Sequence, residues 1–133
     1  MTTIAQETRE IRSFTDLRVW QEARILVKQV YEICAHFPSG ERYGLSTQLQ
    51  RAAVSAVANI AEGSDRYSIR EYIHHLSIAQ GSLSEVHALL ILASDLNFAP
   101  NEAIDERIEQ SLKTGRMLRK LQQSLRNRIE HRI

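Results

Sequence analysis

Residues 68–95 read SIREYIHHLSIAQGSLSEVHALLILASD, and the fold turns on this stretch. It opens on Ser68-Ile69-Arg70-Glu71, the pattern of a capping box, in which the serine hydroxyl accepts a first-turn amide and the glutamate reaches back. Tyr67 and Tyr72 flank the same start at the spacing of a hydrophobic staple. No proline follows, so the pattern predicts one helix from Ser68 to Asp95, about 42 Å long at roughly 1.5 Å per residue. Its final turns, Ala88-Leu89-Leu90-Ile91-Leu92-Ala93, are apolar on every face. A helix that is hydrophobic all round has to be covered all round. Among four helices one face normally meets water, so the spare face calls for a second subunit.

The neighbours of this helix read as three more. A second helix runs from Leu45 to Glu62, with Gly63 as its C-cap, and is rich in Ala52, Ala53, Ser55, Ala56, Ala58 and Ala61. Small side chains admit a close neighbour, so this helix is expected to be the most enclosed. A first helix starts near Thr15 as N-cap, with Phe14 and Val19 at staple spacing, and carries Leu17, Trp20, Ala23, Val27, Val30, Tyr31 and Cys34 at helical intervals. Phe37-Pro38-Ser39-Gly40 stops it. After Asn97-Phe98-Ala99-Pro100 a fourth helix presents Ile104, Ile108, Leu112, Leu118, Leu121, Leu125 and Ile129 on one broad face. Residues 1–13 are polar and aperiodic, a flexible tail before a single domain spanning 14–133. No strand-like alternation occurs. The pattern predicts an all-α, antiparallel up-down-up-down four-helix bundle.

Composition agrees with one domain. The chain has 133 residues, 43% hydrophobic and 25% charged, with 17 Lys plus Arg against 16 Asp plus Glu. No apolar run approaches the ~18 residues of a membrane span, and Met1–Glu7 lacks the basic and apolar regions of a secretory signal. The single cysteine, Cys34, excludes an intramolecular disulfide and fits a reducing cytoplasm. The charge is unevenly spread. From Lys113 to Ile133 the basic residues Lys113, Arg116, Arg119, Lys120, Arg126, Arg128 and Arg132 face one acid, Glu130. Glu102, Asp105, Glu106 and Glu109 precede them, so the same polarity also complements the dipole of the fourth helix.

Residues that could carry catalysis lead nowhere decisive. Glu71 and His74 form a Glu-x-x-His pair on one helical face, as in di-iron bundles, but the second such motif is missing. His74 and His75 point about 100° apart and serve one metal poorly. Cys34 sits in an apolar stripe, and no Gly-rich phosphate cradle or nucleophile elbow is present. Neither metal nor cofactor is expected, and the protein reads as a non-enzyme. Gln48, Arg51, Asn59, Glu62 and Glu85 are polar residues on helix faces that otherwise look buried. Folding the second helix onto the third about Arg66 places Arg51 opposite Gly81, a close-packing position, with Glu85 a turn beyond. The expected outcome is an Arg51–Glu85 ion pair, joined by Gln48, that fixes register.

Ordered motifs carry a resemblance. Phe14-x-x-Leu17-x-Val19-Trp20 is followed by Phe37-Pro38-x-x-Glu41-x-x-Gly44-Leu45-x-x-Gln48 and Arg51-Ala52-Ala53-x-Ser55. Asn59-Ile60-Ala61-Glu62-Gly63-x-x-Arg66-x-Ser68 and Ile78-Ala79-x-Gly81-Ser82-Leu83-x-Glu85 complete the set. Over residues 14–98 the chain resembles the bacterial four-helix-bundle family named after proteins encoded in intervening sequences of 23S rRNA genes. It is also similar to the accessory variability protein of diversity-generating retroelements. The resemblance implies a cyclic homopentamer without catalytic residues, and the retroelement relative associates with reverse transcriptase and nucleic acid. That relative is basic, whereas this chain is nearly neutral; fivefold symmetry would multiply a local basic patch into a ring.

These readings point to an oligomeric adaptor for nucleic acid, RNA or an RNA–protein complex, with DNA open as well. Arg66 and Arg70 at the second turn and Lys113, Arg116 and Lys120 on the fourth helix are the candidate contacts. A protein–protein scaffold without nucleic acid is the alternative. A metal enzyme built on Glu71 and His74 is the third reading.

Overall fold

A computed structural model of the protein describes residues 13–132, and their side chains as far as Glu130. Most of the expected N-terminal tail, residues 1–12, lies outside the described residues. Four helices account for nearly all the rest: α1 (Arg18–Cys34), α2 (Leu45–Ser64), α3 (Ile69–Asp95) and α4 (Asn101–Arg132). Short 3-10 turns, Phe14–Asp16 and Ser39–Tyr43, precede α1 and α2, and no strand occurs among the described residues.

Each helix packs against two others. The neighbouring pairs are α1 with α2, α2 with α3, α3 with α4 and α4 with α1, and the backbones of the diagonal pairs stay apart. The four surround one core in which Leu26, Ile33, Leu49, Ile60, Leu76, Leu90, Ile104 and Leu118 are almost wholly buried. Removing each such side chain from water contributes roughly 1.5–3 kcal/mol before the cost of ordering the chain. The alanines of α2 do what their size suggests. Ala52, Ala53 and Ala56 are buried, and α2 makes its closest association with α3.

The helix ends separate local rules from tertiary ones. α3 begins where its cap requires, with Ser68 Oγ accepting the Glu71 amide at 3.3 Å. Its far end is a Schellman turn: Asn97 has φ 58°, and the Phe98 amide donates to the Ala93 carbonyl at 3.0 Å. Phe98 then packs against Phe37, ring centroids 5.6 Å apart, tying that end of α3 to the end of α1. At the chain start the cap is Ser13, not Thr15. The Ser13 side chain caps the 3-10 turn, and extended Leu17 separates it from α1. Phe14, expected to staple to Val19, packs edge-on against Trp20, centroids 5.0 Å apart. Tyr67 makes no staple with Tyr72 either, because its ring is fully exposed while Tyr72 is half-buried.

Neither Gly63 nor Gly81 has the role expected of it. α2 continues to Ser64, so Gly63 is no terminator. It is the point where α2 meets the start of α3: a Cβ there would stand 2.9 Å from His75 Cβ and 3.0 Å from Tyr72 Cδ1. Gly81, expected to admit a crossing Arg51, has nothing within 4 Å of where its Cβ would be. Its face is open.

The apolar end of α3 is half covered. Leu89, Leu90 and Ala93 enter the core, while Ile78, Ile91, Leu92 and Leu96 are exposed, Leu96 by 56%. By length and composition α3 is apolar enough to cross a membrane, but nearly half of that stretch is buried inside the fold. It is the core helix of this arrangement.

Candidate functional site

Polar side chains concentrate in the seams between helices. Along the α2–α3 seam, Ser82 Oγ lies 2.9 Å from Ser55 Oγ. Asn59 Nδ2 donates to the Ser55 carbonyl at 2.9 Å, and its Oδ1 faces His75 Nδ1 at 3.1 Å. An amide oxygen only accepts, so His75 carries its proton on Nδ1 there. Glu62 approaches the same nitrogen at 3.6 Å from the solvent side. Of the five polar residues singled out on α2 and α3, only Asn59 is drawn in. Gln48, Arg51, Glu62 and Glu85 are exposed.

The expected Arg51–Glu85 ion pair does not form among the described residues. Spacing fixed how far along the helices these residues lie, and Ser55 does meet Ser82 nearby. Their side chains leave the seam outward, and Arg51 lines a shallow cleft with Tyr31, Thr47, Gln50, Val54 and Ser55.

Across the α1–α4 seam, α4 is tied down by its first half. Arg107 Nε donates to the Gln29 carbonyl at 3.1 Å and its Nη1 to the Ala103 carbonyl at 3.1 Å. Gln110 Nε2 donates to the Glu22 carbonyl at 3.0 Å and to its Oε1 at 2.9 Å. Lys113 Nζ completes the group at 3.2 Å from the same carboxylate oxygen. Gln110's hydrogen bond, aided by Lys113 and opposed by partial burial, holds the Glu22 carboxyl below the usual range. Lys113, expected as a nucleic-acid contact, thus has a structural partner.

The second half of α4 differs. Arg116, Arg119 and Lys120 are exposed and form no ion pair among the described residues. Here α4 meets α3 through amides and hydroxyls. Gln80 Nε2 donates to the Gly115 carbonyl at 3.2 Å and to Gln122 Oε1 at 3.3 Å. Gln122 Nε2 reaches Ser77 Oγ at 3.4 Å, and Ser111 Oγ the Leu83 carbonyl at 3.3 Å. Arg66 and Arg70 are exposed at the start of α3, alongside the last turns of α4, where the charge of Arg128 reaches Tyr72. Burial pushes the Tyr72 hydroxyl up to about 12. The predicted basic residues therefore fall into two groups, and Arg119 and Arg126 join them as exposed cations.

Among the described residues the expected Glu71–His74 pair does not gather further ligands. Glu71 and His74 are exposed, and the described residues contain no group of three His, Cys, Asp or Glu side chains suited to a metal. Cys34 is buried, its Sγ 3.9 Å from the Ser46 carbonyl, and burial pushes its thiol up and away from nucleophilic thiolate.

The molecule has a crystallographic likeness in a protein of unknown function from the S23 ribosomal protein family of Bacteroides thetaiotaomicron. The two superpose with a TM-score of 0.73 over 77% of this chain and 96% of that one, at 19% identity, a likeness of fold. No curated protein matches the sequence. The profile of the 23S rRNA-intervening sequence protein family matches residues 15–120, which cover α1, α2 and α3 whole and α4 as far as Lys120. The chain belongs to the family of 23S rRNA-intervening sequence proteins.

Proposed function

We propose that this protein is a non-enzymatic, oligomeric adaptor that binds nucleic acid, RNA or an RNA–protein complex, through arginine and lysine patches. The observation that carries the reading is the stripe Arg116, Arg119 and Lys120, exposed and without an ion pair among the described residues, on a helix whose earlier bases are occupied by protein partners. Unpaired cations on a rigid helix suit phosphate, because no internal bond has to break when the ligand arrives. Arg66 and Arg70 extend the patch at the end of the molecule. The residue pairs across each seam run in opposite order, 55 with 82 and 59 with 75, then 80 with 115 and 77 with 122, which supports an antiparallel up-down-up-down bundle. Exposed Val54, Ile78, Leu92 and the open Gly81 give α2 and α3 a face suited to a second copy. A cytoplasmic homopentamer would repeat the basic stripe five times around a ring.

Fluorescence anisotropy of labelled structured RNA and duplex DNA across a salt series tests this. Binding at physiological salt that weakens steeply as salt rises supports the adaptor. Flat titrations with both polymers sink it. The same exposed apolar residues favour a protein–protein scaffold as the second reading, distinguished by partner capture that is insensitive to salt.

A further inference from the structure

We infer that the notch between α3 and α4 at Gly115 is a ribose-phosphate subsite that prefers RNA to DNA, an inference resting on the nucleic-acid reading above. The notch has a volume of about 60 Å³ and is bordered by Gln80, Ser84, His87, Ser111, Gly115 and Arg119. Sites for whole small molecules run to roughly 300–1,000 Å³, so this one has room for a chemical group rather than a molecule.

Its polar inventory is specific. Both amide hydrogens of Gln80 are committed, one to the Gly115 carbonyl and one to Gln122, which fixes the orientation of the amide. Gln80 Oε1 is left without a partner among the described residues, 3.6 Å from where a Gly115 Cβ would stand. Arg119 Nη1 lies 4.0 Å from the same point. The Ser111 hydroxyl is occupied by the Leu83 carbonyl, while Ser84 is exposed and His87 half-buried at the rim. The notch therefore sets one neutral acceptor beside one unpaired cation.

A bare anion fits this pair poorly, because the amide oxygen repels it. A hydroxyl donating to Gln80 Oε1, next to a phosphate accepting from Arg119, satisfies both. RNA carries that combination at every nucleotide, since its 2′-hydroxyl is donor and acceptor and adjoins the backbone phosphate; DNA lacks the hydroxyl. Gly115 keeps the floor open for it.

The test uses one single-stranded sequence made as RNA, as DNA and as 2′-O-methyl RNA, titrated by anisotropy at fixed salt with the full chain. RNA should bind roughly three- to tenfold more tightly than DNA, the worth of one hydrogen bond, and the 2′-O-methyl probe should fall to the DNA level. Gly115→Ala makes only ordinary contacts, so the variant folds, and it should erase the preference by filling the floor. Arg119→Ala should weaken RNA and DNA alike. Equal affinity for RNA and DNA, undiminished binding of the 2′-O-methyl probe, or a preference that survives Gly115→Ala overturns the subsite and leaves the adaptor standing. No binding of any of these single strands also overturns the subsite, and the adaptor is then decided by the structured RNA and duplex DNA titrations above.

Discussion

Arg107, in the first half of α4, is 15% exposed, and its guanidinium is spent on two backbone carbonyls and a glancing contact with Glu106. Arg119, three turns further along, is exposed and makes no ion pair or hydrogen bond among the described residues. Lys113 and Lys120 differ in the same way, the first held by Glu22 and the second without an ion pair among the described residues. The cause is length. α4 has 32 residues and α1 has 17, and their contacts run from Arg107 opposite Gln29 to Lys113 opposite Glu22. α1 starts one turn before Glu22, so α4 outruns it and, among the described helices, continues against α3 alone. Bases opposite α1 find carboxylate and carbonyl partners; Arg116, Arg119 and Lys120, beyond its start, form no ion pair among the described residues.

Five variants sharpen or break this contrast. Leu118→Ala should cost the most, about 2–5 kcal/mol in urea unfolding, because Leu118 is fully buried. It lies between Arg116 and Lys120, so a large loss there shows that the inner face of the second half holds the fold although its outer face does not. Arg107→Ala should cost about 1–3 kcal/mol, since it removes a charged donor's hydrogen bond to the Gln29 carbonyl across the α1–α4 seam. Nucleic-acid affinity should not change in that variant; a fall would mean that the two halves are not separate in function.

The triple variant Arg116→Ala, Arg119→Ala, Lys120→Ala should leave stability within about 0.5 kcal/mol per site. Its affinity for nucleic acid should drop at least tenfold at low salt, with the salt slope about 2–3 units shallower. Unchanged affinity with unchanged fold would assign the stripe to dipole complementation only. The smallest effect belongs to the Glu22 group. The Glu22 carboxyl is held low in the folded protein, so its contribution is present above about pH 4.3 and is lost as pH falls through the lowered value. Glu22→Gln should flatten that acid limb in a series of melting curves. Lys113→Ala should cost only about 0.2–1 kcal/mol, as its side chain is half exposed.

Much of the fold was legible in short segments. Ser68 and Asp95 bound α3 as their cap and helical pattern required, and the Asn97–Pro100 break fell where expected. Such signals act within about one helical turn, so neighbours elsewhere cannot mask them. The glycines were not legible in this way. Gly63 and Gly81 look alike in sequence, and only the approach of Tyr72 and His75 makes one a contact and leaves the other open. The Arg51–Glu85 expectation failed for a related reason: spacing along a helix gives a residue's height, not the side of the seam on which a long flexible side chain settles. Candidate contacts were half legible. The excess of bases after Lys113 was countable, but that Lys113 is occupied and Arg119 is not depends on what α1 places opposite them.

By itself the sequence determined four helices, their breaks, the apolar stripe each buries and the polarity of α4, because caps, periodicity and dipole complementation are local properties. The tertiary structure decided which cations are free, which glycine is a contact and where the Gly115 notch opens. Those outcomes depend on the relative length and register of helices far apart in the chain, and on a contact that exists only when both partners reach the same point in space.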